Sequence, residues 1–199
     1  MPTPTIYYIR HGETAWNAEG RLQGVQDVPL NDLGRRQAVQ AGNILADLFA
    51  RDGRDKASLA FVASPLGRAR STMDLVREVL DLPPGGYALD DRLREIGYGR
   101  WEGSTLAEMQ AQDPVLFARR QTEKWTMSPP GGETYASVQL RMRDWYDSLL
   151  TDTVAVAHGG TARALMVALG FESPASAADL TIEQGAVYVF GDEGLTKYS

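Results

Sequence analysis

The sequence predicts an α/β fold, a mostly parallel sheet with helices on both faces, and three observations predict it. Short apolar runs at 5–9, 59–63, 153–157 and 186–190 read as strands buried on both sides. The stretches between them carry apolar residues at helical spacing, with recognisable start and stop signals. No internal repeat or low-complexity linker divides the 199 residues, a length that one core can fill.

In chain order, residues 5–9 (TIYYI) form the first strand, with polar loop residues behind them. A helix opens at Asn31-Asp32-Leu33-Gly34, places Ala38, Ala41, Ile44, Leu45 and Leu48 on one face, and ends at Gly53. After the second strand, Ser64 and Pro65 cap and open a helix to about Leu80, with Ala69, Met73, Val76 and Leu80 turned inward. Residues 81–86 (DLPPGG) make a turn into an extended piece over 87–93. Helical composition over 105–125 is interrupted near Asp113 and Pro114, and 129–132 (PPGG) is a loop. A patterned helix over 135–150 leads to the third strand, a helix over 161–169 and the last strand, 186–190.

A formal net charge of −6 argues against nucleic acid or an anionic membrane as a bulk partner, but a local arginine cluster could still bind an anion. The absence of cysteine removes disulfides, thiolate zinc sites and cysteine nucleophiles together. No stretch approaches the roughly 18 apolar residues of a membrane span. The opening MPTPT is too short and polar for a signal peptide, so the cytoplasm is the expected location.

The sequence holds two histidines, His11 and His158, each directly after a predicted strand and directly before a glycine. Parallel strands would deliver both to one sheet edge, where ligands bind in such sheets. One histidine there would read as a satisfied polar residue; two in the same setting read as a site. Zinc usually takes three or more protein ligands, and neither a third histidine nor a cysteine is present. The neighbours are arginines: Arg10 beside His11, with Arg68 and Arg70 past the second strand. They repel a metal ion and fork onto phosphate oxygens. Their charge also disfavours imidazolium, leaving a neutral ring that can attack phosphorus once a backbone carbonyl holds its other nitrogen. A covalent phosphohistidine would then split one hard displacement into two.

These residues sit in six ordered motifs: 8–17 (YIRHGETAWN), 20–24 with 29–34 (GRLQG, PLNDLG), 64–69 (SPLGRA), 93–103 (LREIGYGRWEG), 130–133 (PGGE) and 156–160 (VAHGG). Together they resemble the histidine phosphatase superfamily, also called the phosphoglycerate mutase-like family, and within it the broad-specificity, α-ribazole phosphatase-like branch. The resemblance spans most of the chain and implies a three-layer α/β/α sandwich. It implies His11 as the phosphorylated nucleophile, with Arg10, Arg68 and His158 completing the phosphate pocket. It further implies Asn17 as an amide donor, Gln23 and Gly159 as phosphate-binding positions, and Glu95 as proton donor to the leaving oxygen. No metal and no cofactor are expected, in keeping with an anion pocket lined by arginines.

Other motif residues read differently. Glu102 reads as a structural partner beside Trp101, and Glu13 as a loop or helix-start residue bonding backbone donors. Arg70 reads as a salt-bridging helix residue, since it cannot share a helix face with Arg68. Glu133 stays open between a substrate contact and a structural one, and Tyr98, Trp125 and Met127 between lining the substrate's organic part and packing. Residues 104–130 are expected to form a helical cap inside one domain spanning 1–199. The expected function is a phosphomonoester hydrolase acting on a small phosphorylated metabolite, with no nucleic-acid or membrane partner and with a homodimer as an admissible assembly. A 2,3-bisphosphoglycerate-dependent phosphoglycerate mutase would use the same residues; the short insertion after Glu95 favours hydrolysis, because a longer cap would exclude water. A phosphate-binding module without turnover is the second alternative.

Overall fold

The computed structural model describes residues 4–199, so part of the MPTPT opening lies outside the described residues. In chain order the elements are β1 Ile6–Arg10, α1 Ala15–Ala18, α2 Asp32–Asp52, β2 Ala60–Ala63, α3 Gly67–Val79, β3 Ala88–Leu89, α4 Leu106–Gln112, α5 Pro114–Glu123, α6 Tyr135–Asp147, β4 Thr153–Ala157, α7 Gly159–Ala168, α8 Pro174–Asp179, β5 Val187–Gly191 and β6 Gly194–Tyr198. One sheet runs β3-β2-β4-β1-β5-β6. The β1–β4, β2–β4 and β2–β3 pairings are parallel, and β5 and β6 add antiparallel strands at one side. Among the described residues, no helix is long and apolar enough to cross a membrane.

Side-chain alternation along the strands makes the three layers. Ile6, Tyr8, Ala155 and Ala157 join the core beneath α6 and α7, while Tyr7, Ile9, Val154 and Val156 join the core beneath α2 and α3. Every residue of β4 is buried, as a central strand covered on both faces must be. Helix α2 begins where the sequence predicts, with the Asn31 side chain accepting from the Gly34 N–H at 2.8 Å, and ends at Gly53 with φ 60°.

Several boundaries differ from the sequence reading. Helix α3 starts at Gly67 with Leu66 at its N-cap and no capping side chain, because Ser64 is engaged elsewhere. Only Ala88–Leu89 of the extended piece pairs; Asp90 then accepts from the Arg92 N–H and winds the chain into a 3-10 turn. Helix α7 starts at Gly159, two residues early, and α6 stops at Asp147. Helices α1 and α8 and strand β6 were not foreseen.

Candidate active site

Three neighbouring strands end together. Pairing of Arg10 with Ala157 and of Ala63 with Val156 brings the residues that follow, His11, His158 and Ser64, to one edge of the sheet. The His11 N–H donates to the Ala157 carbonyl at 2.9 Å, and the Ser64 N–H to Val156 at 2.9 Å, extending the ladders one step past the strands. The two imidazole centroids lie 5.1 Å apart at 59°.

His11 is buried, and its Nδ1 lies 2.7 Å from the Gly12 carbonyl oxygen. A carbonyl only accepts, so Nδ1 carries the ring proton and Nε2 keeps its lone pair. That lone pair accepts from Arg68 Nε at 3.3 Å. Burial pushes the imidazole well below its ordinary pKa, and the charges of Arg68 and Arg10 push it further the same way. The ring is therefore neutral at physiological pH, with an unprotonated nitrogen between guanidinium groups.

The strand-end loop is fixed by close backbone contact. A Cβ on Gly12 would stand 2.1 Å from the Gly34 carbonyl oxygen, and one on Gly34 would stand 2.1 Å from that of Glu13. Two glycines thus let the loop lie against the start of α2. Arg68, 1% exposed, is aimed by two further donations, to Gln26 O at 2.5 Å and Gly24 O at 2.8 Å. Arg10 donates through Nη1 to Ile182 O at 2.7 Å, while its buried Nε has no partner among the described residues.

Glu95 rests on the start of α7. Its carboxylate accepts from the Gly160 N–H at 3.0 and 3.3 Å and from the Ile96 N–H at 2.9 Å. A Cβ on Gly160 would stand 2.3 Å from Glu95 Oε1, so only glycine lets the carboxylate dock there. Asn17 Oδ1 accepts from the Thr14 N–H at 3.2 Å and from Gln184 at 3.1 Å, which leaves its NH2 group free to donate.

A cleft of about 160 Å³ gathers Arg10, His11, Asn17, Gln23, Arg68, Glu95 and Gly159 together with Arg21, Leu22, Gly24, Tyr98 and Arg163. His158 is fully buried, with its ring beside that of His11. Burial, followed by Tyr135 and Glu95, pushes the Tyr98 phenol well above its ordinary value, so it lines the cleft as a neutral hydroxyl. Leu22, Tyr98 and Arg163 also line an adjoining cavity of about 300 Å³ reached by Arg120 of α5. Arg120 is 5% exposed, stacks over Tyr98 and Trp101, and holds an Nη1 without a partner among the described residues.

The remaining motif residues are structural. Glu102 accepts from the Val25 and Tyr98 N–H groups, each at 3.1 Å, and Glu133 from the Gly97 N–H at 2.9 Å and from Arg141. Glu13 accepts from the Asn31 side chain rather than from backbone donors. Arg70 is exposed and makes no salt bridge among the described residues. Trp125 and Met127 pack in the core, Trp125 stacked on Tyr135 at 5.0 Å, so Tyr98 alone of the three lines the cleft. Arg21 and Arg163 escaped the sequence reading, although Arg163 stands one helical turn beyond Gly159 on the same face.

A neutral imidazole with one unprotonated nitrogen is set among arginines at the carboxyl edge of a parallel sheet, an arrangement with the chemistry to hold an anion. The chain belongs to the histidine phosphatase superfamily (branch 1), whose model matches residues 6–194. It is 36% identical over 182 residues to a glucosyl-3-phosphoglycerate phosphatase of Mycolicibacterium vanbaalenii, covering 85% of this chain and 75% of that one. It is 32% identical over 190 residues to the 2,3-bisphosphoglycerate-dependent phosphoglycerate mutase 2 of Gloeobacter violaceus, covering 89% and 81%. Its fold matches that of a mycobacterial glucosyl-3-phosphoglycerate phosphatase solved with VO3, at TM-score 0.79 and 30% identity over 98% and 96% of the two chains.

Proposed function

We propose that this protein is a phosphomonoester hydrolase that carries the phosphoryl group on His11 Nε2. The observation that carries the reading is the Nδ1 contact to Gly12 O at 2.7 Å, which leaves Nε2 unprotonated beside Arg68, whose Nε–H passes from that lone pair to a phosphoryl oxygen when substrate binds. In the first step the Nε2 lone pair forms a bond to phosphorus, and the bond from phosphorus to the substrate's ester oxygen breaks. Glu95 delivers a proton to that oxygen. Arg10 and Arg68 hold the equatorial oxygens, Asn17 donates its free NH2, and Gln23 and the Gly159 N–H border the same oxygens. As the ring becomes cationic on phosphorylation, the Nδ1–H bond to Gly12 O strengthens. In the second step water attacks phosphorus, Glu95 takes its proton, and the N–P bond breaks to restore His11.

Residues 104–130 serve as a cap in this reading, and the whole chain works as one domain. The cap holds α4 of 7 residues and α5 of 10, a small cover that leaves the phosphoenzyme open to water and favours hydrolysis over mutase chemistry. The adjoining cavity, with Tyr98 and the cations Arg120 and Arg163, suits a small phosphorylated metabolite whose organic part is polar or anionic. A cytoplasmic location belongs to the same reading. The mutase alternative draws its support from the relative named as a mutase. Assay of phosphate release from sugar phosphates, phosphoglycerates, nucleotides and α-ribazole phosphate, with and without 2,3-bisphosphoglycerate, separates the two. Release without the bisphosphate is expected; isomerisation of phosphoglycerate that requires it would replace this reading.

A further inference from the structure

His158 is held at every polar atom but one. Its N–H donates to Tyr8 OH at 3.1 Å, its carbonyl accepts from Tyr8 OH at 2.8 Å and from the Ala162 N–H at 3.1 Å, and its Nε2 lies 2.7 Å from Ser64 Oγ. Among the described residues, Nδ1 is buried without a hydrogen-bond partner. The phosphohistidine reading needs a donor from this ring, whereas a bare nitrogen facing a phosphoryl oxygen would repel it.

Ser64 decides which nitrogen has the proton. It is fully buried, and its oxygen already accepts from the Leu66 N–H at 3.4 Å. Among the described residues, His158 Nε2 is the acceptor within reach of its hydroxyl proton. If Ser64 accepted from Nε2 instead, its own O–H would be buried and unpaired. We propose that Ser64 is a positioning residue: its O–H donates to His158 Nε2 and so keeps that ring's proton on Nδ1, where it serves a phosphoryl oxygen. Burial, then Arg68, His11 and Arg10, hold the imidazole well below its ordinary pKa, which keeps a single proton to be placed. The two histidines are thereby set in opposite senses. A carbonyl accepts from the Nδ1–H of His11 and so leaves Nε2 unprotonated, while a hydroxyl occupies Nε2 of His158 and frees an Nδ1–H to donate.

The inference rests on the phosphohistidine reading, but its central readout does not depend on turnover. With two histidines in the chain, 15N-histidine labelling of the full-length protein resolves both rings. The wild type should show His158 protonated on Nδ1, and inorganic phosphate should shift that Nδ1–H signal. Ser64→Ala should move the proton to Nε2, the position free imidazole prefers, and lower kcat with p-nitrophenyl phosphate about 10- to 100-fold, as loss of a hydrogen bond to a charged group does. Ser64→Thr, which keeps the hydroxyl, should restore both. A wild type protonated on Nε2, or a Ser64→Ala variant with unchanged tautomer and turnover, would overturn the inference. An inactive wild type whose Nδ1–H still shifts with phosphate would overturn the hydrolase reading while upholding this one.

Discussion

Replacing Gly160 with alanine should separate proton donation from phosphoryl capture. The added Cβ would meet Glu95 Oε1 at 2.3 Å and Ile96 Cγ2 at 2.6 Å, where ordinary contact begins near 3.4 Å. The carboxylate must retreat by about 1 Å and give up its bonds to the Gly160 and Ile96 N–H groups. Misplacement of a catalytic group by about 1 Å costs on the order of 100-fold in rate. Alanine is also the better helix former by up to ~1 kcal/mol, so overall stability should stay within about 1 kcal/mol of wild type. The assay compares kcat/KM for an alkyl phosphate, whose poor leaving group needs a proton, with that for p-nitrophenyl phosphate, whose leaving group needs little help. Only the first should fall about 100-fold. Equal losses on both substrates, or no loss on the alkyl phosphate, would refute the assignment of Glu95 as the proton donor.

Other perturbations test the frame around that chemistry. Gly12→Ala forces a Cβ to 2.1 Å from the Gly34 carbonyl oxygen; urea unfolding should show a loss of about 1–3 kcal/mol, and turnover should fall with it, whereas a variant as stable as wild type would contradict the backbone contact. The two buried histidines make stability depend on pH. Their folded pKa values are depressed, so below about pH 6.5 the unfolded chain binds protons that the native one refuses, and stability is lost as pH falls. Denaturation should therefore show the protein less stable at pH 5.5 than at pH 7.5. A flat profile would count against neutral burial. For the same reason kcat/KM should show no acid limb near pH 6.5, since the nucleophile needs no deprotonation there.

Much of this site is legible in the sequence because strand ends are easy to read. The fully buried run of β4, apolar after Thr153, and the near-continuous apolar run of β1 each stop at a His-Gly pair, and parallel pairing does the rest. Ser64 departs from its local signal for a physical reason. Ser-Pro is a sound local helix start, but a buried imidazole on the neighbouring strand competes for the same hydroxyl, and that partner lies 94 residues away. Strand β6 and helix α8 are short and half-polar, so neither produces a strong apolar period. Glu133 cannot be told from a catalytic carboxylate by motif position: it accepts from a backbone N–H as Glu95 does, and only the place of Glu95 in the lining of the cleft sets it apart.

The most direct test of the account is to trap the phosphoenzyme. Rapid acid-free quench of wild-type protein with 32P-labelled substrate should give protein-bound label that is stable to alkali, lost in acid and mapped to His11, while His11→Ala neither labels nor turns over. Wild-type hydrolysis without any labelled protein, or turnover by His11→Ala at the wild-type rate, would contradict it.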